Sequence, residues 1–536
     1  MRDLAGEVKR RRTFAIISHP DAGKTTLTEK LLLYGGAIRQ AGSVKARRAA
    51  RHATSDWMEI EKQRGISVTS SAMVFDYEGY RVNILDTPGH QDFSEDTYRT
   101  LVAADGAVML IDCARGVEAQ TIKLFKVCRM RGIPIFTFVN KLDRAGKDPF
   151  DLISEIESVL GISVCPINWP IGTHGDFQGV YHRDTRQVEL YRGGDHGQRK
   201  VDALLVAADG PELEAALAAG YVEKLREDIE LLDIAGDAFD LDKLLAGELS
   251  PMFFGSAGNN FGVEPFLKRF LALTTPPQPR RADEGLIDPE DSRFSGFIFK
   301  IQANMNPAHR DRLAFLRICS GVFERNMTVW HSGGQKQLRL TQPQQFMAQE
   351  HEGVDTAFPG DIIGLFDPGL FRLGDTLSTG GQLHYEGIPL FAPEFFSRVS
   401  PLDSMKRKQF VKGIAQLSQE GAVQTFKRPG VGREELIVGV VGVLQLEVLE
   451  YRLKVEYGVE LRREDLPYRY VRWVGEAPRE VGKLRLTSTT VPALDRSGRD
   501  VLLFENEWSI RLATENNEGL TLMETADRME ADEMME

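Results

Sequence analysis

The chain has 536 residues, 42% hydrophobic and 27% charged, which is ordinary globular material with room for three or four domains. No apolar run is long enough to span a bilayer and the N-terminus lacks a signal peptide's apolar core, so a cytoplasmic protein without a membrane partner is expected. Lys and Arg (66) are outnumbered by Asp and Glu (78), and the net charge of −12 argues against charge-driven nucleic-acid binding by the whole surface, while leaving local basic patches open.

In chain order, Lys9-Arg10-Arg11-Arg12 reads as a solvated basic lead-in. Residues 14–17 (Phe-Ala-Ile-Ile) then form a buried-type strand, followed by Ser18, His19, Pro20, Asp21, Ala22, Gly23, Lys24, Thr25 and Thr26 and a helical pattern to about Tyr34. Strand, tight loop ending in Gly-Lys-Thr, then helix is the layout of a phosphate-binding loop. Backbone N–H groups of the loop and first helical turn converge on one place, where the helix dipole adds positive potential. Gly23 lets the backbone approach phosphates, Lys24 supplies charge to the terminal ones, and the Thr25 hydroxyl suits Mg²⁺. The consensus wants Gly at position 18, where this chain has Ser.

Gly35-Gly36 stops the helix, and residues 36–51, with five basic and no acidic residues, read as a mobile loop beside the nucleotide with a polyanion partner in reach. Arg64-Gly65-Ile66-Ser67 follows, where the Ser67 hydroxyl could complete a Mg²⁺ shell while a γ-phosphate is present. A second apolar strand over 82–85 ends in Asp86-Thr87-Pro88-Gly89-His90. Asp86 suits a water-mediated Mg²⁺ contact, and the Gly89 N–H can touch the γ-phosphate. Buried-type strands at 107–111 and 133–139, with a helical stretch between, predict a right-handed, doubly wound α/β sheet.

The second of those strands ends in Asn140-Lys141-Leu142-Asp143, the group most telling for base identity. The Asp143 carboxylate can accept from guanine N1–H and the 2-amino group, whereas adenine offers neither donor and would leave it unpaired. Asn140 would buttress the loop and the Lys141 stem would lie over the base. Gly255-Ser256-Ala257 fits as the last base-recognition loop, with the N–H groups of Ser256 and Ala257 toward guanine O6. The substrate and product are therefore expected to be GTP and GDP, with Mg²⁺.

Between Asp143 and Gly255 lies an insertion at about 165–250, with short strands near Val180 and Val188 and one acidic amphipathic helix over 210–233. A Pro-rich linker at 274–281 is the clearest boundary. Short strands with turns then predict an antiparallel barrel, Gly387-Ile388-Pro389 marks a second boundary, and the remainder alternates strands and helices as a split β-α-β sandwich. The tail from Glu515 is acidic and Met-rich, without apolar periodicity, and most of it reads as frayed or disordered. The expected organisation is a P-loop domain (1–277), a β-barrel (278–387) and an α+β domain (388–536). The four cysteines, Cys113, Cys128, Cys165 and Cys319, form no C-x-x-C pair and read as reduced core thiols. Gly-Gly-Gln occurs at 333–335 and 380–382. Both copies fall in predicted barrel turns, without the long projecting loop an ester-hydrolysing tripeptide needs.

Ser18 to Thr26, Arg64 to Ser67 and Asp86 to His90 together resemble the translational GTPases. Ser55-Asp56-Trp57-Met58-Glu59, Phe358-Pro359-Gly360-Asp361, Phe391-Ala392-Pro393-Glu394 and Gln416-Leu417-Ser418 extend the resemblance, over nearly the whole chain, to the bacterial peptide-chain release factor 3 family. At position 67 most translational GTPases carry Thr, and Ser keeps the hydroxyl. The resemblance implies an α/β P-loop GTPase domain followed by barrel and α+β domains, and GTP hydrolysis triggered by the ribosome. It also implies that His90 orients the attacking water beside ribosomal RNA, with Lys24 and Gly89 completing the catalytic set, and that class I release factors are the partners being released. A monomer that does not bind DNA is expected. The alternatives are another ribosome-bound GTPase, translocase-like or a rescue factor, and a guanine-nucleotide sensor without productive turnover.

Overall fold

The structure, a computed structural model, describes residues 3–38, 71–88, 92, 94–172, 176–191, 203–303, 312–341, 343–347, 350–385, 392–428, 435–475, 477 and 480–524. Most of the 36–51 loop, Ser67, Gly89, His90 and the 387–389 boundary lie outside the described residues.

A short helix, Leu4–Lys9, leads into β1 (Arg11–Ser18), which runs through the centre of the first domain. After it come the helix Lys24–Tyr34, the hairpin β2 (Ser71–Tyr77) and β3 (Tyr80–Asp86), and the helix Ser94–Val102. Then follow β4 (Gly106–Asp112), the helix Ala119–Met130, β5 (Ile135–Asn140), the helix Pro149–Leu160 and β6 (Ser163–Pro166). The insertion supplies β7 (Asn168–Ile171), β8 (Gly179–His182), β9 (Gln187–Tyr191) and β10 (Ala203–Ala207), and the chain returns to the core as β11 (Leu249–Phe254). The central sheet has seven strands in the order β2-β3-β1-β4-β5-β11-β6. Only β2 is antiparallel to its neighbour. Strands β1, β4, β5 and β11 are buried along their whole length, as a sheet covered on both faces requires. On one face Phe14 and Phe136 meet Phe270 edge-on at 4.6 and 4.8 Å, which seats the helix Val263–Leu273 across the sheet.

The lead-in reading of residues 9–12 is overturned. Arg11 and Arg12 are the first residues of β1 and are 3% and 7% exposed. Arg11 pairs with Glu7 and with Asp361 (2.8 Å), while Arg12 Nε donates to the Leu271 carbonyl (3.0 Å). Four basic letters in a row carry no signal that tertiary partners await two of them.

The insertion is a four-stranded antiparallel sheet, order β10-β9-β8-β7, packed on two helices, Pro211–Ala216 and Ala219–Ala235, rather than one. Leu217 and Ala218, between them, are in extended conformation and break the run that periodicity alone joins. Asn168 ties the insertion to the core, with Nδ2 donating to the Phe254 carbonyl (3.0 Å) and Oδ1 accepting from the Phe254 N–H (2.7 Å).

The second domain is an antiparallel β-barrel whose eight-stranded sheet includes the long pair Ser295–Ala303 and Arg312–Ser320. Both Gly-Gly-Gln copies are tight turns there. Gly380 and Gly381 have φ of +83° and +148°, as a turn glycine should. In the first copy the positive φ belongs to Gln335, and Gly333 is small for another reason: a Cβ there would lie 2.1 Å from Asp375.

In the third domain the four strands Phe395–Pro401, Gln424–Arg428, Glu435–Val440 and Leu461–Leu466 adopt the spatial order fourth, first, third, second. The helices Arg407–Gln419 and Val443–Tyr457 provide the crossovers. This is the split β-α-β arrangement expected. The sheet then continues into further strands. Of the tail expected to be mostly frayed, Glu515 lies in the helix Glu507–Asn516 and Leu522–Met523 pairs with Trp473 and Val474, while residues 525–536 lie outside the described residues. That strand of two residues is held by pairing, which composition does not reveal.

All four cysteines are free and buried. Burial pushes the thiols up, to about 11 for Cys113 and Cys165 and about 12 for Cys128.

The first domain and the barrel share a buried ionic seam. Asp105 accepts from Arg317, which is 1% exposed, and pairs with Arg280 at 3.3 Å. Thr13 Oγ1 and Arg317 Nη1 both donate to the Gly360 carbonyl (2.7 Å each). Removing one partner of such a pair strands the other charge. Asp105→Ala is therefore expected to cost about 3–5 kcal/mol, read as a lowered urea midpoint. An unchanged midpoint would contradict the seam's role.

Candidate functional site

The loop Ser18–Gly23 sits at the end of β1, where the sheet order reverses between β3 and β4, the switch point at which open α/β sheets bind ligands. Its shape is held by three features. Asp21 and Gly23 have φ of +66° and +100°. Gly23 caps the helix Lys24–Tyr34 in left-handed conformation. A Cβ built on Gly23 would lie 2.4 Å from Asn140 Nδ2, so the position admits only glycine. Lys24, Thr25 and Thr26 form the first turn of that helix, with the Lys24 side chain buried. Ser18 is buried where the consensus has Gly, and its hydroxyl has no partner among the described residues. Pro20 and Ala22 complete the loop, and His19 Nε2 faces Glu118 at 3.4 Å.

Register brings Asp86 beside Ile16 on β1, and the Asp86 carboxylate forms an ion pair with Lys24 in which both side chains are almost fully buried. Thr28 Oγ1 lies 3.5 Å from the same oxygen. Thr87 Oγ1 donates to the Ile16 carbonyl (2.7 Å), and the Pro88 carbonyl accepts from Thr97 Oγ1 (3.1 Å), fixing the start of the segment leading to Gly89 and His90. The ammonium and carboxylate expected to serve the triphosphate end are thus together.

The other tips meet the loop through Asn140. Its Nδ2 donates to the Ala22 carbonyl and its Oδ1 accepts from the Ala257 N–H, both at 2.9 Å. Lys141, with φ of +69°, turns its side chain back so that Nζ donates to the Asp21 carbonyl and to Asp112 (2.8 Å). Asp143 Oδ1 accepts from Ser256 Oγ at 2.5 Å, and the Ser256 loop is closed by its N–H bond to the Phe261 carbonyl (2.8 Å). Ser18 to Thr26, Asp86 to Pro88, Asn140, Lys141, Asp143, Ser256 and Ala257 therefore lie along one edge of the sheet.

Asp112 was not singled out from the sequence, yet it orients Lys141. Burial raises its pKa, but hydrogen bonds from Lys141 and the Ala114 N–H more than offset this and leave it below the usual carboxylate range. Its signal was available: like Asp86 it is an Asp at the C-terminal end of a buried strand.

No group of three His, Cys, Asp or Glu fit to hold a metal occurs among the described residues. A hard cation here would draw on the Asp86 carboxylate and Thr25 hydroxyl and take its remaining oxygens from nucleotide and water, as Mg²⁺ characteristically does.

A P-loop sheet, a barrel behind it and an N-K-x-D tip beside the loop define a translational GTPase. Residues 9–276 match the Elongation factor Tu GTP binding domain, 293–380 match Elongation factor G domain 2, and 385–514 match the C-terminal domain of Class II release factor RF3. The chain is 60% identical to a peptide chain release factor 3 of Symbiobacterium thermophilum, over 98% of this chain and 99% of that one. It is 53% identical to that of a Cyanothece species, over 95% and 94%. A crystal structure from Thermus thermophilus, 22% identical, matches in fold with a TM-score of 0.69 over 92% of this chain and 72% of that one. The chain belongs to the peptide chain release factor 3 family, and it is a guanine-nucleotide-binding GTPase of translation termination.

Gly23→Ala puts a Cβ against Asn140 in a left-handed backbone, about 1–3 kcal/mol of strain. GTP affinity is expected to fall about tenfold or more by equilibrium titration. Wild-type affinity would show that the Gly23–Asn140 contact is not needed.

Proposed function

We propose that the protein speeds departure of a class I release factor from the ribosome after peptide release, using GTP hydrolysis in the cytoplasm. The observation that carries this is the match to release factor 3 relatives along the whole chain, including the third domain. It is supported by the convergence of Lys24, Asp86, Asn140 and Asp143. The working unit is a monomer with a GTPase domain at 1–277, a barrel at 278–387 and an α+β domain at 388–536. It needs neither membrane nor DNA, and no helix among the described residues is long and apolar enough to cross a membrane.

In this reading the N–H groups of residues 18–26 cradle the phosphates and Lys24 neutralises the terminal ones. Thr25, Ser67 and, through water, Asp86 would hold Mg²⁺, which would supply charge stabilisation on the phosphates. Asp143 reads guanine, steadied by Ser256 Oγ. The Lys141 stem lies along the base, and the Ser256 and Ala257 N–H groups face its O6. Gly89 touches the γ-phosphate, and His90 orients the attacking water next to ribosomal RNA.

Asp143→Asn should weaken GTP about 100-fold, a loss of about 3 kcal/mol for a charged acceptor, and shift preference to xanthine nucleotides, whose 2-keto group accepts from an amide. Unchanged base preference by direct titration would reject the guanine assignment. His90→Ala should leave GTP affinity near wild type and slow ribosome-stimulated turnover about 100-fold. Equal turnover in both proteins would remove His90 from the mechanism, and no ribosome-dependent rise in the wild type would leave the sensor reading standing.

A further inference from the structure

The insertion reaches back to the loop that follows β11. That loop, residues 255–262, carries Ser256 and Ala257 and is folded on itself: Ser256 and Phe261 exchange both backbone bonds, N–H to carbonyl, at 2.8 and 3.0 Å. Its two ends are close-packed. A Cβ on Gly255 would lie 2.7 Å from the Phe261 carbonyl oxygen and 2.8 Å from the Phe138 ring. Gly262, at φ +71°, caps the helix Val263–Leu273, and a Cβ there would lie 2.8 Å from the Phe254 carbonyl oxygen. Packing of this density makes the loop shift as a unit and not residue by residue.

The insertion grips both ends. At the entry, Asn168 on β7 occupies the N–H and the carbonyl of Phe254, and Trp169 meets the Phe254 ring edge-on at 5.4 Å. At the exit, Tyr191, the last residue of β9, stacks on Phe261 with centroids 4.6 Å apart and planes 4° from parallel. Phe177 borders both rings, at 6.0 and 6.1 Å. The Tyr191 hydroxyl also accepts the Gly262 N–H at 2.8 Å. That N–H stands at the start of a helix, where the backbone has no internal partner, and a glycine cap brings no side chain to the helix start. Acceptor and helix start are 71 residues apart, so the bond exists only because the insertion is folded against the loop.

The loop in turn holds the 140–143 tip. Ser256, fully buried, donates through Oγ to Asp143 Oδ1 at 2.5 Å, and the Ala257 N–H donates to Asn140 Oδ1 at 2.9 Å. We infer that the insertion sets how firmly the protein holds guanine, and that Tyr191 is the positioning residue through which it does so: by fixing Phe261 and Gly262 it fixes Ser256, and Ser256 fixes the carboxylate that meets the base. The inference rests on the proposed role of Asp143. A carboxylate accepts from the guanine N1–H and 2-amino group together only while its plane is held, because a hydrogen bond weakens steeply once bent.

The test uses the full chain and titrates GDP and inosine diphosphate. Inosine diphosphate keeps N1–H and O6 but lacks the 2-amino group, so the ratio of the two affinities reads the second bond to Asp143. Tyr191→Phe keeps the stacked ring and removes only the hydroxyl. It should weaken GDP about fivefold, mostly through faster release, which is the scale of one neutral hydrogen bond. Inosine diphosphate should weaken by less than about twofold, so that discrimination narrows, with the thermal midpoint near wild type. In a Ser256→Ala background the same change should cost GDP less than about twofold, because the link it acts through is already cut. Wild-type GDP affinity and release in Tyr191→Phe overturn the inference. An equal loss for both nucleotides, or an undiminished loss in the Ser256→Ala background, makes Tyr191 a packing residue only and overturns it too. Asp143→Asn is the reference: if it keeps the wild-type base preference the guanine reading has failed, whereas a shifted preference beside an unchanged Tyr191→Phe rejects the insertion's part alone.

Discussion

The nucleotide edge of this molecule depends on one buried amide. Asn140 lies at the end of β5 and holds the phosphate loop with one side of its side chain and the Ser256–Ala257 loop with the other. Because it is 1% exposed, both bonds form in surroundings where an unmade one would cost the full desolvation of the amide. The requirement for glycine at position 23 follows, since Asn140 occupies the space a side chain would need. The turn of Lys141 toward Asp21 and Asp112 depends on the same strand end, so the 18–26 loop and the 140–143 tip are set by one strand end and not as two independent loops.

A second theme is that the GTPase domain and barrel join buried charge to a shared apolar cluster, in which Leu101, Ala103 and Ala104 of the first domain lie with Phe297, Phe299 and Phe315 of the second. The ionic part of that contact is buried, with Asp105, Arg317, Arg11 and Asp361 almost fully enclosed. Such pairs add little net stability compared with apolar packing, but they tolerate no misalignment, because a charge moved out of register is left buried and alone. Between the GTPase domain and the third domain the contacts are helix ends against Asp92 and Arg99. Bonds of this kind are few and directional. They define one relative placement well and can be exchanged for water at modest cost, unlike a large apolar interface.

Two misreadings share a cause. Arg11 and Arg12 read as solvated, and most of the tail from Glu515 as frayed, because composition and charge patterning act within a local window. The arginines are stabilised by Asp361 and the Leu271 carbonyl, and the terminal strand by Trp473 and Val474. The same blindness hid Asp92, whose bond from the Leu444 N–H exists only because the fold brings the two together.

The sequence by itself determined the chemistry and the order of parts. Buried strands read as apolar runs because both faces of a parallel sheet are covered, and the Gly-Lys-Thr, Asp-Thr-Pro and Asn-Lys-Leu-Asp groups stood at strand ends because that is where ligands meet such sheets. The resemblance drawn from those letters agreed with relatives up to 60% identical. What only the tertiary structure decided was partnership: Asn140 with Ala22 and Ala257, Asp143 with Ser256, Asp112 with Lys141, and Asp92 with the helix at Gly442. The physical reason is range. Periodicity and turn chemistry act over a few residues, whereas a buried polar group is satisfied by whatever the fold brings within about 3 Å, however distant in the chain.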